Sequence, residues 1–169
     1  LNTLITEVVA SAAAAGPNHP IKIDLNENEI FVLGDSQRIH QVIANLLANA
    51  RTHTPDGTKI TITAMQGVQE TTISVTDTGP GLSESDQERI FERFYRVENA
   101  VHTEVGTGLG LSIVRGILEK HSSVIRMASE PDVGTTFWFD LPLAQSDQDE
   151  IKLQAERQSR YEQEEFEVD

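Results

Sequence analysis

Gly34-Asp35-Ser36-Gln-Arg-Ile39-His-Gln41-Val42-Ile43-Ala-Asn45-Leu46-Leu47-Ala-Asn49-Ala50-Arg51 is the stretch on which the fold turns. Ile39, Val42, Ile43, Leu46, Leu47 and Ala50 recur at three- and four-residue intervals, so they line one stripe of a helix running to about Arg51. Gly34-Asp35-Ser36 offers its N-cap. Gln41, Asn45 and Asn49 are four apart and stack along a neighbouring face. Amide oxygens are hard donors of the kind Mg²⁺ accepts, and two of them one turn apart can hold such an ion and touch phosphates. They serve equally well as solvated polar residues of an amphipathic helix.

Outward from this helix the pattern alternates. Leu1 to Ala15 carries Leu1, Leu4, Ile5, Val8 and Val9 at helical spacing, and Gly16-Pro17-Asn18 ends it. Ile21 to Leu25 and Glu29 to Leu33 read as short strands. After the turn Pro55-Asp56-Gly57, Lys59 to Met65 and Thr71 to Thr76 read as a hairpin with Ile60, Ile62, Ile73 and Val75 inward. Gly79 to Thr107 is polar and loop-like, with a helical piece near Glu84 to Phe94. Leu109 to Lys120 reads as a helix with Leu109, Ile113, Val114, Ile117 and Leu118 inward. Val124 to Met127 and Thr135 to Leu141 form the last hairpin, ended by Pro142. The expected class is α/β, one mixed sheet with helices packed on one face.

Composition narrows the function. The chain has 169 residues, enough for one domain with a sizeable core, and no cysteine, which excludes disulfides and cysteine-ligated metal centres. No apolar run approaches the roughly 20 residues that span a bilayer, and the first residues lack a signal peptide's basic start. A formal charge of −14 argues against nucleic acid as a partner. Much of that acidity lies in Ser146 to Asp169, where scattered Ile151, Leu153, Tyr161 and Phe166 leave a choice between a loose helix and a solvated tail.

Three further stretches carry chemistry. Asp77 follows a strand and precedes Gly79 and Gly81. Its carboxylate can accept from an exocyclic base amine, and the glycines let backbone approach a flat base; Asp and Gly are also ordinary turn residues. Gly106-Thr107-Gly108-Leu109-Gly110 opens a helix, whose N-terminal N–H groups suit an anion, but no Lys-Ser/Thr follows as in a P-loop. Between them, Phe91-Glu-Arg93-Phe94-Tyr95-Arg96 offers aromatics and arginines; the aromatics anchor a movable segment or fill a core.

In order and spacing these stretches resemble the ATP-binding catalytic domain of sensor histidine kinases, within the GHKL superfamily. Asn45-Leu-Leu-Ala-Asn49-Ala50 is similar to the N box, Asp77-x-Gly79-x-Gly81 to the first glycine box and Ile90 to Arg96 to the F box. Gly106 to Val114 resembles the second glycine box, and Gly134-Thr135-Thr136-Phe137 the last. The resemblance covers about 35–143 and implies a Bergerat-type two-layer sandwich with a mobile ATP lid at about 82–107. Residues 1–145 would form the catalytic domain and 146–169 an acidic tail. The resemblance assigns Mg²⁺ to Asn49, the phosphates to Asn45 and Arg96, and the adenine amine to Asp77, with Thr135 helping through water. Gly79, Gly81, Gly106, Thr107, Gly108, Leu109 and Gly110 would complete the nucleotide contacts, with His53 against the base.

ATP-hydrolysing relatives carry a glutamate four residues before the metal-binding Asn. Here it is Asn45, an amide that cannot act as a base. That favours passing the γ-phosphoryl of ATP to another acceptor, a task that needs mainly positioning and charge stabilisation. Two positions depart from the family. Thr52 stands where many members have Lys, so Arg51 or a lid arginine would supply that charge; His53 stands where an aromatic often stacks. None of His19, His40, His53, His102 and His121 has the phosphoacceptor context. The expected partners are therefore a phosphoacceptor histidine domain of the same parent and a downstream response regulator. The resemblance also implies that the parent is a bacterial plasma-membrane sensor, with this segment cytoplasmic and without direct membrane contact. A non-catalytic ATP-sensing module and an anti-sigma-type serine/threonine kinase are the alternatives.

Overall fold

The computed structural model describes residues 1–16, 18–97 and 107–144. Among them the helices are α1 (Asn2–Ala14), α2 (Ser36–Thr52), α3 (Glu84–Arg89) and α4 (Gly110–Lys120). The strands are β1 (Ile21–Leu25), β2 (Ile60–Gln66), β3 (Glu70–Asp77), β4 (Arg126–Glu130) and β5 (Gly134–Pro142).

The decisive helix forms as its sequence dictates. Asp35 caps α2, its Oδ1 accepting from Gln37 N at 2.9 Å and Arg38 N at 3.1 Å. All six residues of the apolar stripe are buried, each worth about 1.5–3 kcal/mol for the larger aliphatics. α2 packs against both α1 and α4. At its last turn Arg51 donates from Nη1 to Ala12 O at 2.7 Å and from Nη2 to Gly16 O at 3.1 Å. Those bonds satisfy carbonyls that the end of α1 leaves open.

The sheet order is β1-β2-β3-β5-β4. β1 and β2 are parallel and the other pairs antiparallel. A parallel pair needs a long crossover, and α2 supplies it. The inner face carries Ile60, Ile62, Ala64, Ile73, Val75, Phe137, Phe139 and Leu141 into the helix layer. The outer face is studded with paired hydroxyls instead. Thr63 meets Ser74 at 2.8 Å, Thr76 meets Thr136 at 3.0 Å, and Thr72 donates to Asp140 at 2.6 Å. Alternation along each strand thus accounts for helices on one side only. The α/β class and the mixed sheet are as expected, and no described helix is long and apolar enough to cross a membrane.

Three local expectations change. Residues 29–33 form no strand but a single bridge, Val32 to Leu143. β3 and β4 already flank β5, so only its overhang can pair: Leu33 N donates to Pro142 O and Ala144 N to Phe31 O, both at 2.9 Å. Second, α4 turns Leu111, Val114, Ile117 and Leu118 into the core. Leu109 is its N-cap, and Ile113 looks outward. Third, the helix expected over Glu84 to Phe94 stops at Arg89, and Phe94 takes φ +65°. The tail at 146–169 lies outside the described residues.

Candidate functional site

One row of side chains crosses three strands at the end of the sheet. Asp77 pairs with Thr135 across β3 and β5, and Thr135 pairs with Ser129 across β5 and β4. Cross-strand partners share a face; Asp77 and Thr135 form one wall of a cavity of about 430 Å³, and Ser129 lies behind them, outside the lining. That volume is within the range of small-molecule sites. α2 supplies a second wall through Asn45, Asn49 and the turn His53-Thr54. The segment 80–97 and the start of α4 close the rest.

Asp77 is buried, and its Oδ1 accepts from Gly79 N at 2.9 Å. Burial pushes its carboxyl above the usual carboxylate range, against the hydrogen bonds from the Gly79 and Thr135 amides, which favour the charged form. Two glycines make this corner possible. Gly134 has φ +138°, and a Cβ there would lie 2.0 Å from Asp77 O; Gly81 has φ +68°, and a Cβ would lie 2.1 Å from Glu130 O. Any side chain would push β3 and β5 apart or lift the loop from β4.

The loop wall is held by polar contacts. Leu82 N donates to Ser129 Oγ at 2.8 Å, and Gln87 Nε2 donates to both Leu82 O and Ser129 O at 3.0 Å. Tyr95 Oη donates to Asp86 Oδ1 at 2.7 Å, with the Arg89 guanidinium stacked 4.3 Å from the Tyr95 ring centre. Phe94 N donates to Gly108 O at 2.9 Å, which ties the segment to the loop before α4.

The cavity brings together Asn45, Asn49, His53, Asp77, Gly81, Arg96, Thr107, Gly108, Gly110 and Thr135. Gly79 does not line it but steadies Asp77. Leu109 turns away: as the N-cap of α4 it gives its carbonyl to Ile113 N and Ser112 Oγ, and it lines a separate outer groove beside Arg38 and Phe94. Gly106 lies outside the described residues. Arg51 is committed to α1 and is not among the lining residues, whereas Thr52 and Arg96 are. The sequence did not single out Thr54 or the apolar Leu82, Ile90, Leu111 and Phe137 as lining. Nor did it find Ser129 or Gln87. Hairpin register offered one signal, since pairing Glu130 with Gly134 puts Ser129 opposite Thr135.

The donor set fits a nucleotide with a hard cation. Asn45 Nδ2 is buried with no hydrogen-bond partner among the described residues, a cost that a polar ligand would remove. No group of three or more His, Cys, Asp or Glu able to hold a metal exists among the described residues. An ion here would lean on amide oxygen, phosphate and water, as Mg²⁺ does. Gly110 leaves open space at the start of α4, and Gly108 reaches φ +66° against Phe94 and Tyr95.

A family model described as histidine kinase-, DNA gyrase B-, and HSP90-like ATPase matches residues 34–145. Drug sensory protein A of Synechocystis sp. is 48% identical over 126 residues, covering 69% of this chain and 19% of that protein. The solved catalytic domain of histidine kinase ThkA is 34% identical with TM-score 0.73, covering 84% of this chain and 91% of that one. ThkA is also known in complex with response regulator protein TrrA. Full-length ShkA in complex with AMPPNP is 28% identical with TM-score 0.73, covering 86% of this chain and 30% of that one. The chain spans well under half the length of the curated relatives it matches.

Proposed function

This chain belongs to the histidine kinase-, DNA gyrase B- and HSP90-like ATPase family, and from that membership we propose that it is the ATP–Mg²⁺-binding catalytic part of a sensor histidine kinase. It donates the γ-phosphoryl to a histidine on a separate dimerisation and phosphoacceptor domain of the same parent. A response regulator then receives the phosphoryl group. The observation that carries the reading is the cavity itself, where Asp77 and Thr135 meet Asn45, Asn49, Arg96 and the Thr107–Gly110 loop. ThkA with its response regulator and ShkA with AMPPNP support the same assignment.

In this reading Asp77 accepts from the adenine amine, with Thr135 beside it. His53 lies against the base. Asn49 holds Mg²⁺, and Asn45 faces the phosphates. A Mg²⁺ held there would supply positive charge against the transferring phosphoryl group. Thr107, Gly108 and the start of α4 present N–H groups to phosphate oxygens, where a helix N-terminus favours an anion. Arg96 supplies the cation that Thr52 lacks. Asn45 offers no base to activate water, which keeps the phosphoryl group for the histidine. We assign 1–145 to the catalytic domain and 146–169 to a tail, and place the parent at a bacterial plasma membrane with this segment in the cytoplasm.

Calorimetric titration with a non-hydrolysable ATP analogue, with and without Mg²⁺, tests the pocket. Mixing with ATP and a phosphoacceptor fragment then tests the chemistry. Mg²⁺-dependent binding and an acid-labile phosphohistidine are expected. Binding without transfer would leave a nucleotide-sensing module, a reading that Thr52 leaves open. An acid-stable product would point to a hydroxyl acceptor.

A further inference from the structure

Ser129 is outside every motif above, yet its hydroxyl is fully used. Ser129 Oγ accepts from Leu82 N at 2.8 Å, donates to Gly134 O at 3.1 Å and meets Thr135 Oγ1 at 2.9 Å. A hydroxyl has one proton and two lone pairs. With the Ser129 proton on Gly134 O and one lone pair taken by Leu82 N–H, the second lone pair accepts from Thr135. Thr135 is therefore the donor in that contact. Its single proton points away from the cavity, and only its lone pairs face inward. The opposite arrangement, Ser129 donating to Thr135, leaves the Gly134 bond unmade and so satisfies one bond fewer.

Thr135 is the cross-strand partner of Asp77, and both line the cavity. A group within hydrogen-bond reach of Asp77 is within reach of Thr135, directly or through one water. We propose that Ser129 is a positioning residue for nucleotide selection: it takes up the Thr135 proton, so that Asp77 and Thr135 together present only acceptors and select a base bearing a 6-amino donor. The inference rests on the ATP-pocket reading above and deepens it. Ser129 touches no nucleotide; it acts by fixing the sense of a neighbour's hydrogen bond. Gln87 reinforces the arrangement by holding the backbone carbonyls of Ser129 and Leu82 together.

The test compares ADP with its analogue carrying hydrogen in place of the 6-amino group, titrated into wild type, Ser129→Ala and Ser129→Cys. The two nucleotides differ only at the amine, so their affinity ratio reports how well that amine is read. Wild type should prefer ADP. In Ser129→Ala the Thr135 hydroxyl is released, and the ratio should fall about fivefold, the worth of one hydrogen bond. Cysteine fills the same place but accepts weakly, so the ratio falls there too, and this variant decides the matter if alanine does not fold. Equal weakening of both nucleotides would mean that Ser129 only braces Leu82, and would overturn the proposal. An unchanged ratio, or a wild type that binds both equally, overturns it as well. A wild type that binds neither nucleotide would instead defeat the ATP-pocket reading itself.

Discussion

The cavity has two unlike walls. The strand-and-helix wall is built from α2 and the Asp77–Thr135 pair, backed by Ser129, on elements whose Leu46, Leu47, Val75 and Phe137 belong to the buried core. The loop wall is built from the segment 80–97 and the turn before α4. Its helix α3 buries no residue, and the segment is attached through the Leu82 and Gln87 hydrogen bonds to Ser129 and the Phe94 bond to Gly108, with Ile90 and Phe91 as partly buried anchors. Regions with few buried apolar contacts open at low free-energy cost. The wall that carries Asp77, Asn45 and Asn49 thus rests on the buried core, while the loop wall has few buried apolar contacts to hold it.

The largest effect should come from breaking the first wall. Gly134→Ala forces a Cβ toward Asp77 O at a backbone angle that L-residues avoid. It should cost about 3 kcal/mol or more and abolish nucleotide binding together. Chemical denaturation and nucleotide titration check both.

Asp77→Asn should separate the two properties. Nucleotide affinity should fall at least about tenfold, because the base amine loses a charged acceptor. Stability should move the other way. Burial raises the Asp77 carboxyl's folded pKa above its unfolded value. The stability linked to that shift is fully present below the unfolded pKa and is lost as pH rises through the folded one. At pH 7 the buried charge is therefore a cost, which the amide removes. The variant should melt above wild type at pH 7, and its advantage should shrink as pH falls toward about 3.9, the ordinary Asp value. A lower melting point at pH 7 would mean that the Gly79 and Thr135 hydrogen bonds to the carboxylate outweigh its burial.

The same contrast explains what the sequence disclosed. The first wall was legible because periodicity and register fix it. The α2 stripe is buried in full, Asp35 caps the helix, and both hairpins pair nearly where alternation placed them. Where local pattern does not determine packing, the reading slipped. Leu109 and Ile113 have the spacing of core residues, but α4 begins only at Gly110 and its contact with α2 selects Leu111 instead. Residues 29–33 are apolar enough for a strand, yet only Ile30 is buried, because β5 has no free edge except its overhang. Gln87 and Ser129 stand 42 residues apart and meet only in the folded chain.

Gln87→Ala sharpens the contrast from the other side. It removes the amide that bonds Ser129 O of β4 and Leu82 O of the preceding loop, each bond worth about 1 kcal/mol. Because α3 buries nothing, global unfolding should barely change. Amide hydrogen exchange at Leu82 and along α3 should quicken instead, with faster nucleotide dissociation. A global loss equal to the local one would show that the loop wall unfolds with the core.

The smallest effect should come from Phe94. The residue is 71% exposed while its backbone holds φ +65°, so strain is sustained with little burial to offset it. Its N–H bond to Gly108 O is made by backbone and survives any side chain. Asparagine tolerates the left-handed region better than phenylalanine. Phe94→Asn should therefore raise stability by about 0.5 kcal/mol, read as a small upward shift of the denaturation midpoint. A fall would require the exposed ring to be held by something more than the described residues. The loop wall would then be anchored more firmly than its burial suggests, and the difference between the two walls would narrow.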